Sequence, residues 1–336
     1  MAERRLSRRQ IERIKKLHDK RRQKVTRKAA QQAEDLYQRG GLGPERTGLV
    51  IANYGPALIV EDSEQALFRC ALRQNLGTAV CGDRVIWQVS GQQEGVVVAI
   101  TARRSLLARP DYNGRTKPLA ANLDQVAVVI APRPELNEFL IDRYLVAINT
   151  IDVEPLLVLN KVDLLTEYKR TALEARLATY QRIGYALVYA SNRTDAGLDN
   201  LRKHLKQRTS ILVGQSGVGK SSLIKTLLPD RDIRIQALSQ ATGYGTHTTT
   251  TSTLYHLPDG GDLIDSPGVR SFELGPLLPN QLEQGFIEFM PYLGQCKFSN
   301  CSHRVEPDCA ILAAVARGDI DSRRLMSYHQ LSDTLG

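Results

Sequence analysis

The chain has 336 residues, of which 42% are hydrophobic and 24% charged, and its formal net charge is +9. This length and mixed composition predict two or three globular domains and exclude a collagen, a coiled coil and a wholly disordered chain. No apolar run approaches the roughly 20 residues that span a bilayer, and none follows the basic N-terminus as in a secretory signal. We therefore expect a cytoplasmic protein without membrane contact.

Positive charge is concentrated in the first 40 residues. They contain 14 Lys or Arg and 5 Asp or Glu, whereas the other 296 residues contain 31 of each sign. We predict a basic RNA-binding arm over residues 1–40, although a solvated tail would have the same composition. Ile11, Ile14 and Leu17 recur at helical spacing, but this apolar stripe is too thin to predict docking on a core.

Residues 45–110 contain five short β-like runs that are separated by turn signals. The runs are 48–53, 57–60, 67–72, 83–89 and 95–101. Five short strands in about 60 residues predict a small closed barrel of the OB type, and an SH3-like barrel would give a similar pattern. Cys70 and Cys81 lie within or beside these runs and are expected to pack as small core residues.

Strands and helices alternate over residues 111–277. The predicted strands are 125–131, 155–160, 186–190, 210–213 and 262–264, and the predicted helices are 138–151, 168–182, 198–206 and 221–228. Apolar strands that alternate with helices indicate a mainly parallel sheet covered on both faces, an α/β domain. Residues 278–336 are predicted to form a helical domain interrupted by a group of cysteines.

A phosphate-loop pattern with no mismatch lies between an apolar strand and a predicted helix, the context in which this motif binds nucleotides. The predicted phosphate-binding residues are Gly214, Gln215, Ser216, Gly217, Val218, Gly219, Lys220, Ser221 and Ser222. The glycines allow backbone N–H groups to surround the phosphates, and Lys220 adds a positive charge at the β- and γ-phosphates. The Ser221 hydroxyl is placed to ligate Mg²⁺.

A second motif, Asn160, Lys161, Val162 and Asp163, follows the predicted strand 155–160. It therefore lies at the carboxyl edge of the sheet, where open α/β sheets bind ligands. An aspartate there can accept hydrogen bonds from N1–H and the exocyclic amino group of guanine, donors that adenine does not present in that arrangement. With a phosphate loop in the same sheet, this motif predicts that the ligand is GTP or GDP.

A third motif comprises Asp265 and Gly268, which follow the predicted strand 262–264. Asp265 fits the carboxylate that holds Mg²⁺, and the Gly268 N–H is placed to sense the γ-phosphate. A threonine run between the two phosphate motifs predicts a loop whose hydroxyl completes the Mg²⁺ shell when the triphosphate is bound. Thr249 and Thr250 are candidates, and the sequence does not decide which threonine acts.

The order of these motifs differs from that of an ordinary small GTPase. There the guanine motif comes last, whereas here Asn160–Asp163 precedes Gly214 by about 50 residues. Because the ends of a domain often lie close together, this order predicts a circularly permuted GTPase domain. The chain then runs from residues 265–268 almost directly into the predicted C-terminal domain, residues 278–336. We therefore expect the nucleotide state to move that domain.

Four residues with metal-ligating side chains lie within a stretch of 14: Cys296, Cys301, His303 and Cys309. Three thiolates and one imidazole make a complete tetrahedral set for Zn²⁺, with no position left for water. We therefore predict one structural zinc ion. A redox-sensing group of thiols is the alternative.

Together and in this order, these segments resemble the RsgA (YjeQ) family of circularly permuted GTPases. Further matching stretches are residues 82–85, 109–110, 121–125, 247–250 and 265–270. The resemblance implies GTP hydrolysis with Mg²⁺ that is stimulated by the 30S ribosomal subunit. It also implies binding to 16S rRNA near the decoding region during late maturation of that subunit, and release after hydrolysis. We expect a monomer.

Two departures from the usual GTPase pattern affect the predicted chemistry. Ala190-Ser191-Asn192 replaces the usual Ser-Ala of the base-contacting loop, a change that backbone contacts would survive. Val269 stands where many GTPases have a glutamine that orients water, so intrinsic turnover is expected to be slow. The resemblance makes His247 the candidate catalytic residue, and a loop histidine without a catalytic role is equally compatible with the sequence.

Two other functions remain open from the sequence. The first is an RNA-binding assembly module that holds GTP as a structural ligand, for which Val269 is the main support. The second is a permuted GTPase that serves the large ribosomal subunit or another RNA. Fold resemblance alone does not separate these functions.

Overall fold

The structure is a computed structural model that describes residues 24–55, 57–110, 116–193, 195–230, 252–266 and 279–335. The chain divides into two compact units. The first contains residues 1–103 and 230–254, and the second contains residues 104–229 and 255–336. Within the described ranges, every helix is too short or too polar to cross a membrane.

Five strands of the first unit close into a barrel. They are β1 (Glu45–Asn53), β2 (Leu58–Glu61), β3 (Leu67–Leu72), β4 (Arg84–Gly91) and β5 (Glu94–Ile100). The order of neighbours is β1-β2-β3-β5-β4 and back to β1, with β3 and β5 parallel and the other pairs antiparallel. This closed five-stranded order confirms the predicted OB-like barrel.

The interior of the barrel is built around Trp87, the only tryptophan of the chain. Its ring centroid lies 4.5 Å from that of Phe68, and a Cβ on Gly95 would lie 2.6 Å from the indole ring. Glycine is therefore required there because the indole occupies the space of a side chain. Cys70 and Cys81 are buried, as predicted, and burial raises the pKa of the Cys81 thiol to about 12.

Residues 24–38 form helix α1, which docks within the first unit. Ala33 is buried, Glu34 accepts hydrogen bonds of 2.9 and 3.2 Å from Arg73, and the Arg73 guanidinium lies 3.8 Å from the centroid of the Tyr37 ring. This docking was not predicted, because it uses a small residue and one ion pair in place of an apolar stripe. Residues 1–23 lie outside the described part.

The second unit contains a five-stranded parallel sheet in the order β10-β9-β8-β11-β13. Its strands are β8 (Gln125–Ile130), β9 (Glu154–Leu159), β10 (Ala186–Tyr189), β11 (Thr209–Val213) and β13 (Asp262–Asp265). Val128 on the central strand pairs with Leu157 on one side and Val213 on the other. All five strands lie at or within two residues of the predicted positions.

The helices of this α/β region also follow the prediction. They are α2 (Glu138–Asn149), α3 (Glu167–Ile183), α4 (Asp199–Leu205) and α5 (Lys220–Leu227). Asn137 caps α2, because its side-chain oxygen accepts a hydrogen bond of 3.1 Å from the Leu140 N–H. Such a cap satisfies one of the free N–H groups at the start of a helix.

Three strands were not predicted from the sequence. They are β6 (Leu106–Pro110), β7 (Thr116–Ala121) and β12 (Thr253–His256). β6 and β7 pair with each other in antiparallel orientation. The sequence analysis placed a domain boundary between residues 110 and 111, and it predicted no strand at β6 or β7.

The C-terminal region is helical, as predicted. It contains α6 (Pro279–Gly285), a 3-10 helix (Ile287–Tyr292), α7 (Ala310–Arg317) and α8 (Ser322–Leu335). Phe286, Phe289 and Tyr328 form its aromatic core, with ring centroids 5.1 to 5.7 Å apart. Such aromatic contacts stabilise a small domain beyond their buried area.

A buried charge cluster joins α8 to the α/β region of the same unit. Arg324 donates a hydrogen bond of 2.5 Å to Asp142 of α2 and two to Glu288, and Tyr180 of α3 donates one of 2.7 Å to Asp142. Burial raises the pKa of Asp142, and the neighbouring Arg324 guanidinium opposes this shift. This charge cluster, defined as Arg324, Asp142, Glu288 and Tyr180, satisfies its polar groups internally.

Candidate functional site

Three predicted motifs lie at one edge of the parallel sheet. Asn160 directly follows β9, Gly214 directly follows β11, and Asp265 ends β13. Because these strands are parallel, their carboxyl ends face the same side. This edge is where ligands bind in open α/β sheets.

The glycines of the phosphate loop are required by close contacts and by their backbone conformation. Gly214, Gly217 and Gly219 have φ values of 136°, 86° and 99°. A Cβ on Gly214 would lie 2.2 Å from the carbonyl oxygen of Val129, and one on Gly219 would lie 2.4 Å from Nδ2 of Asn160. A side chain at either position would clash in addition to the strain of positive φ.

The phosphate loop ends at the first turn of α5. Gly219 is the N-cap, Lys220 is the first helical residue, and Ser221 and Ser222 follow it in the first turn. The Lys220 ammonium donates hydrogen bonds to the carbonyl oxygens of Gly214 and Gln215, at 2.5 and 2.8 Å. A helix N-terminus with an adjacent ammonium attracts phosphate oxygens.

Asn160 and Lys161 contact the phosphate loop through their side chains. The Asn160 Nδ2 donates a hydrogen bond of 2.9 Å to the Val218 carbonyl, and the Lys161 ammonium donates one of 2.6 Å to the Gly217 carbonyl. Asn160 is 2% exposed, and its Oδ1 has no hydrogen-bond partner among the described residues. The two motifs are therefore one structural site, although 54 positions separate Asn160 from Gly214 in the sequence.

Asp163 is held by a residue that the sequence analysis assigned no such role. Its Oδ1 accepts a hydrogen bond of 2.6 Å from the Ser191 hydroxyl, and Arg193 Nε lies 3.6 Å from its Oδ2. Ser191 is buried and follows β10, the neighbour of β9. The hydrogen bond spans 28 positions, so local sequence patterns do not reveal it. The sequence signal for Ser191 was its place in the segment that replaces the usual Ser-Ala of the base-contacting loop.

The remaining predicted nucleotide residues are only partly described. Asp265 lies at the carboxyl edge, on the strand that neighbours β11. The other predicted residues lie outside the described ranges: His247, Thr249, Thr250 and Gly268.

The four predicted metal ligands come together in the C-terminal region. Their ligand atoms all lie within 4.8 Å of one another. Cys296 Sγ lies 3.6 Å from His303 Nδ1 and 3.8 Å from Cys309 Sγ, and His303 Nδ1 lies 3.3 Å from Cys309 Sγ. Tetrahedral zinc, with Zn–S near 2.3 Å, requires about 3.8 Å between sulfurs and about 3.5 Å between sulfur and nitrogen. The cluster therefore fits a zinc ion and could hold one.

Local structure places these ligands and affects their chemistry. Cys309 is the N-cap of α7, and its Sγ accepts a hydrogen bond of 3.5 Å from the Leu312 N–H. Burial raises the pKa of the Cys301 thiol to about 12. A cation within the cluster would offset this cost, because metal binding stabilises the ionised thiol.

The order and placement of the nucleotide motifs define the class of protein. The strand that carries the guanine motif precedes the phosphate loop in the chain, yet both end at one sheet edge. This is a circularly permuted P-loop GTPase, as the motif order predicted.

Comparison with known proteins identifies the family. The sequence model for the RsgA GTPase matches residues 100–275. The small ribosomal subunit biogenesis GTPase RsgA of Hahella chejuensis is 48% identical and aligns with 100% of this chain and 97% of its own length. The protein of the same name from Azotobacter vinelandii is 49% identical, over 100% of this chain and 98% of its own. The chain belongs to the RsgA GTPase family and is a GTPase.

Solved structures agree with this assignment. YjeQ from Thermotoga maritima is 32% identical and superimposes with a TM-score of 0.72, over 87% of this chain and 99% of its own. YloQ, described as a circularly permuted GTPase, is 27% identical with a TM-score of 0.70, over 87% of this chain and 95% of its own. These similarities cover both the barrel and the permuted GTPase domain and confirm the predicted fold class.

Proposed function

We propose that this chain hydrolyses GTP while it is bound to the 30S ribosomal subunit, in late maturation of that subunit. It binds 16S rRNA near the decoding region, is stimulated by the subunit and leaves after hydrolysis. The observation that carries the nucleotide part is the contact of Asn160 and Lys161 with the phosphate loop, which makes one site from two motifs. The small-subunit part is supported by the names of the relatives, 48% and 49% identical over the full chain.

Each residue of the proposed nucleotide site has a separate task. Asp163 accepts the guanine donors, the phosphate loop surrounds the phosphates, and Ser221 and Asp265 hold Mg²⁺. Thr249 or Thr250 completes the Mg²⁺ shell, and the Gly268 N–H senses the γ-phosphate. A zinc ion held by Cys296, Cys301, His303 and Cys309 stabilises the C-terminal domain.

His247 is proposed as the catalytic residue, because the apolar Val269 cannot orient the attacking water. The His247→Ala variant should therefore lose GTP hydrolysis stimulated by 30S subunits and keep its affinity for GTP. Unchanged stimulation would remove His247 from the mechanism.

Helix α1 supports the proposed RNA contact. Glu34 faces the first unit through Arg73, whereas Arg27 and Lys28 on the same helix are exposed. Glu34 is thus neutralised internally, whereas Arg27 and Lys28 face solvent, where they can contact phosphate oxygens. We propose that the chain has four domains with separate functions, as predicted from the sequence: residues 1–40, 45–110, 111–277 and 278–336. The cytoplasmic location and the monomeric state are proposed with them.

Cosedimentation with separated 30S and 50S subunits across a salt series, combined with GTP hydrolysis assays, tests this function. We expect pelleting with 30S and not 50S, faster hydrolysis with 30S, and affinity that falls steeply with salt. The double variant Arg27→Gln/Lys28→Gln should bind 30S several-fold more weakly, with a shallower salt dependence. The matched control is Lys169→Gln/Arg170→Gln, which removes the same exposed charges from α3 and should bind normally.

Two results would contradict the proposal. Equal pelleting with both subunits would indicate a different RNA target. Hydrolysis that does not respond to 30S subunits would indicate that GTP acts as a structural ligand.

A further inference from the structure

The imidazole of His303 has one nitrogen inside the metal cluster and one outside it. Nδ1 lies 3.3 Å from Cys309 Sγ and 3.6 Å from Cys296 Sγ. Nε2, on the other side of the ring, is buried and has no hydrogen-bond partner among the described residues, and the whole side chain is 5% exposed. A buried N–H without a partner is destabilising, so this atom requires an acceptor.

Glu283 of α6 supplies a carboxylate on that side. Its Oε1 lies 3.5 Å from His303 Nε2. The same oxygen accepts a hydrogen bond of 3.4 Å from the Tyr328 hydroxyl, and the Tyr328 ring centroid lies 5.8 Å from that of His303. The carboxylate is thus positioned by α8 beside the imidazole that it faces.

The chemistry of a metal-bound histidine explains this arrangement. When Nδ1 gives its lone pair to a metal ion, the proton of the neutral ring must be on Nε2. An N–H that donates to a carboxylate fixes this tautomer, holds the plane of the ring and makes the ligand nitrogen more basic. A shift of a few tenths of an ångström would bring His303 Nε2 and Glu283 into an ordinary hydrogen bond.

Helix α6 is itself fixed to the α/β region of the same unit. The Asn149 Nδ2 of α2 donates a hydrogen bond of 2.9 Å to the Gly285 carbonyl. A Cβ on Gly285 would lie 2.6 Å from Val146 Cγ1, so α6 and α2 are in close contact. Glu283 therefore belongs to a helix that contacts α2 at one residue and approaches the metal ligand His303 at another.

We propose that Glu283 is a positioning residue that orients His303 for a divalent metal ion and links occupancy of the metal site to the order of α6. The inference rests on the metal site of the proposed function and is independent of ribosome binding. Without the carboxylate, His303 loses the acceptor that selects its tautomer, and α6 loses a polar contact with the metal ligands.

The test measures zinc affinity of the full-length protein by competition with a chromophoric chelator, with Zn²⁺ alone and no ribosome. We expect Glu283→Met to bind Zn²⁺ about 10–100-fold more weakly. Glu283→Gln keeps a side-chain carbonyl that can accept from Nε2 and should recover part of the loss. The matched control is Gln284→Met, an exposed neighbour on the same helix, which should bind as the wild type does.

Hydrogen exchange supplies a readout that a loss of packing alone would not produce. In the wild type, removal of Zn²⁺ should speed amide exchange over residues 279–285. In Glu283→Met, exchange there should be the same with and without Zn²⁺. A zinc affinity of Glu283→Met within twofold of the wild-type value would overturn the proposal. Amide exchange in α6 of the wild type that does not change when Zn²⁺ is removed would also overturn it. Both readouts are separate from 30S binding, which tests the proposed function.

Discussion

Two buried polar regions of the same compact unit differ in whether the protein itself supplies partners for all of their polar groups. In the charge cluster, Arg324 faces both Asp142 and Glu288, and every charge has a protein partner. At the sheet edge, Asn160 is equally buried, but its Oδ1 has no partner among the described residues. A polar group that the fold satisfies stabilises the fold, whereas a buried polar group that the fold leaves unpaired requires a separate explanation. Beside a phosphate loop, that explanation is a bound nucleotide.

This difference leads to opposite expectations for substitutions. Changes in the charge cluster should lower the free energy of unfolding and leave nucleotide choice unchanged. Changes at the sheet edge should alter nucleotide affinity or choice at little cost in stability. Three substitutions test this difference.

The largest effect is expected at Arg324. Arg324→Met leaves Asp142 and Glu288 buried without their cation, so the free energy of unfolding should fall by about 3–5 kcal/mol. Urea unfolding followed by circular dichroism measures this loss. The matched control is Arg323→Met, since Arg323 has a 43% exposed side chain and its ion pair should contribute less than about 1 kcal/mol.

A compensated variant keeps this prediction testable if Arg324→Met does not fold. Adding Asp142→Asn and Glu288→Gln removes the uncompensated charges and should restore much of the stability. Equal losses in the free energy of unfolding for Arg323→Met and Arg324→Met would show that the buried charge cluster stabilises the fold no more than an exposed ion pair does.

The second prediction concerns Gly219. A methyl group there would meet Asn160 Nδ2 at 2.4 Å, so Gly219→Ala should move the guanine motif and weaken GTP binding at least tenfold. Gly184→Ala is the control, because Gly184 also has positive φ, at 111°, but nothing lies within 4 Å of its Cβ position. It should cost about 1 kcal/mol of stability and leave GTP affinity unchanged. Similar GTP affinities for the two variants would refute the contact between the motifs.

The smallest effect is expected at Ser191. Ser191→Ala removes the hydroxyl that holds Asp163, so GTP affinity should fall about fivefold, equivalent to one hydrogen bond of about 1 kcal/mol. Calorimetric titration with GTP measures it. Thr171→Ala removes a hydroxyl from an exposed helical position and should have no effect on binding. A Ser191→Ala variant with normal GTP affinity would mean that Asp163 functions without the hydrogen bond from Ser191.

Local patterns predicted most of the fold and the candidate site. The phosphate loop, the guanine motif and the four metal ligands are each contained in a short segment whose spacing reflects the chemistry directly. The strands and helices of the parallel sheet were also predictable, because their apolar periodicity is local. The permuted order was deduced by comparing the order of motifs along the chain.

The missed features depend on residues that are far apart in sequence. Arg324 and Asp142 are separated by 182 positions, and neither lies in a recognisable motif. The docking of α1 depends on Glu34 and Arg73, an ion pair that looks like ordinary surface charge in the sequence. Ser191 and Glu283 act through Asp163 and His303, so their roles become visible only when the partner is located. Such pairs leave no local signal for periodicity or spacing to detect.

In the proposed function, Asp163 selects guanine for the phosphate loop beside it. Calorimetric titration of Asp163→Asn with GTP and XTP measures this selection, because xanthine has a carbonyl oxygen where guanine has the exocyclic amino group. An asparagine can donate to that oxygen and accept from N1–H, so we predict that the variant prefers XTP whereas the wild type prefers GTP. A variant that still prefers GTP over XTP would contradict the claim.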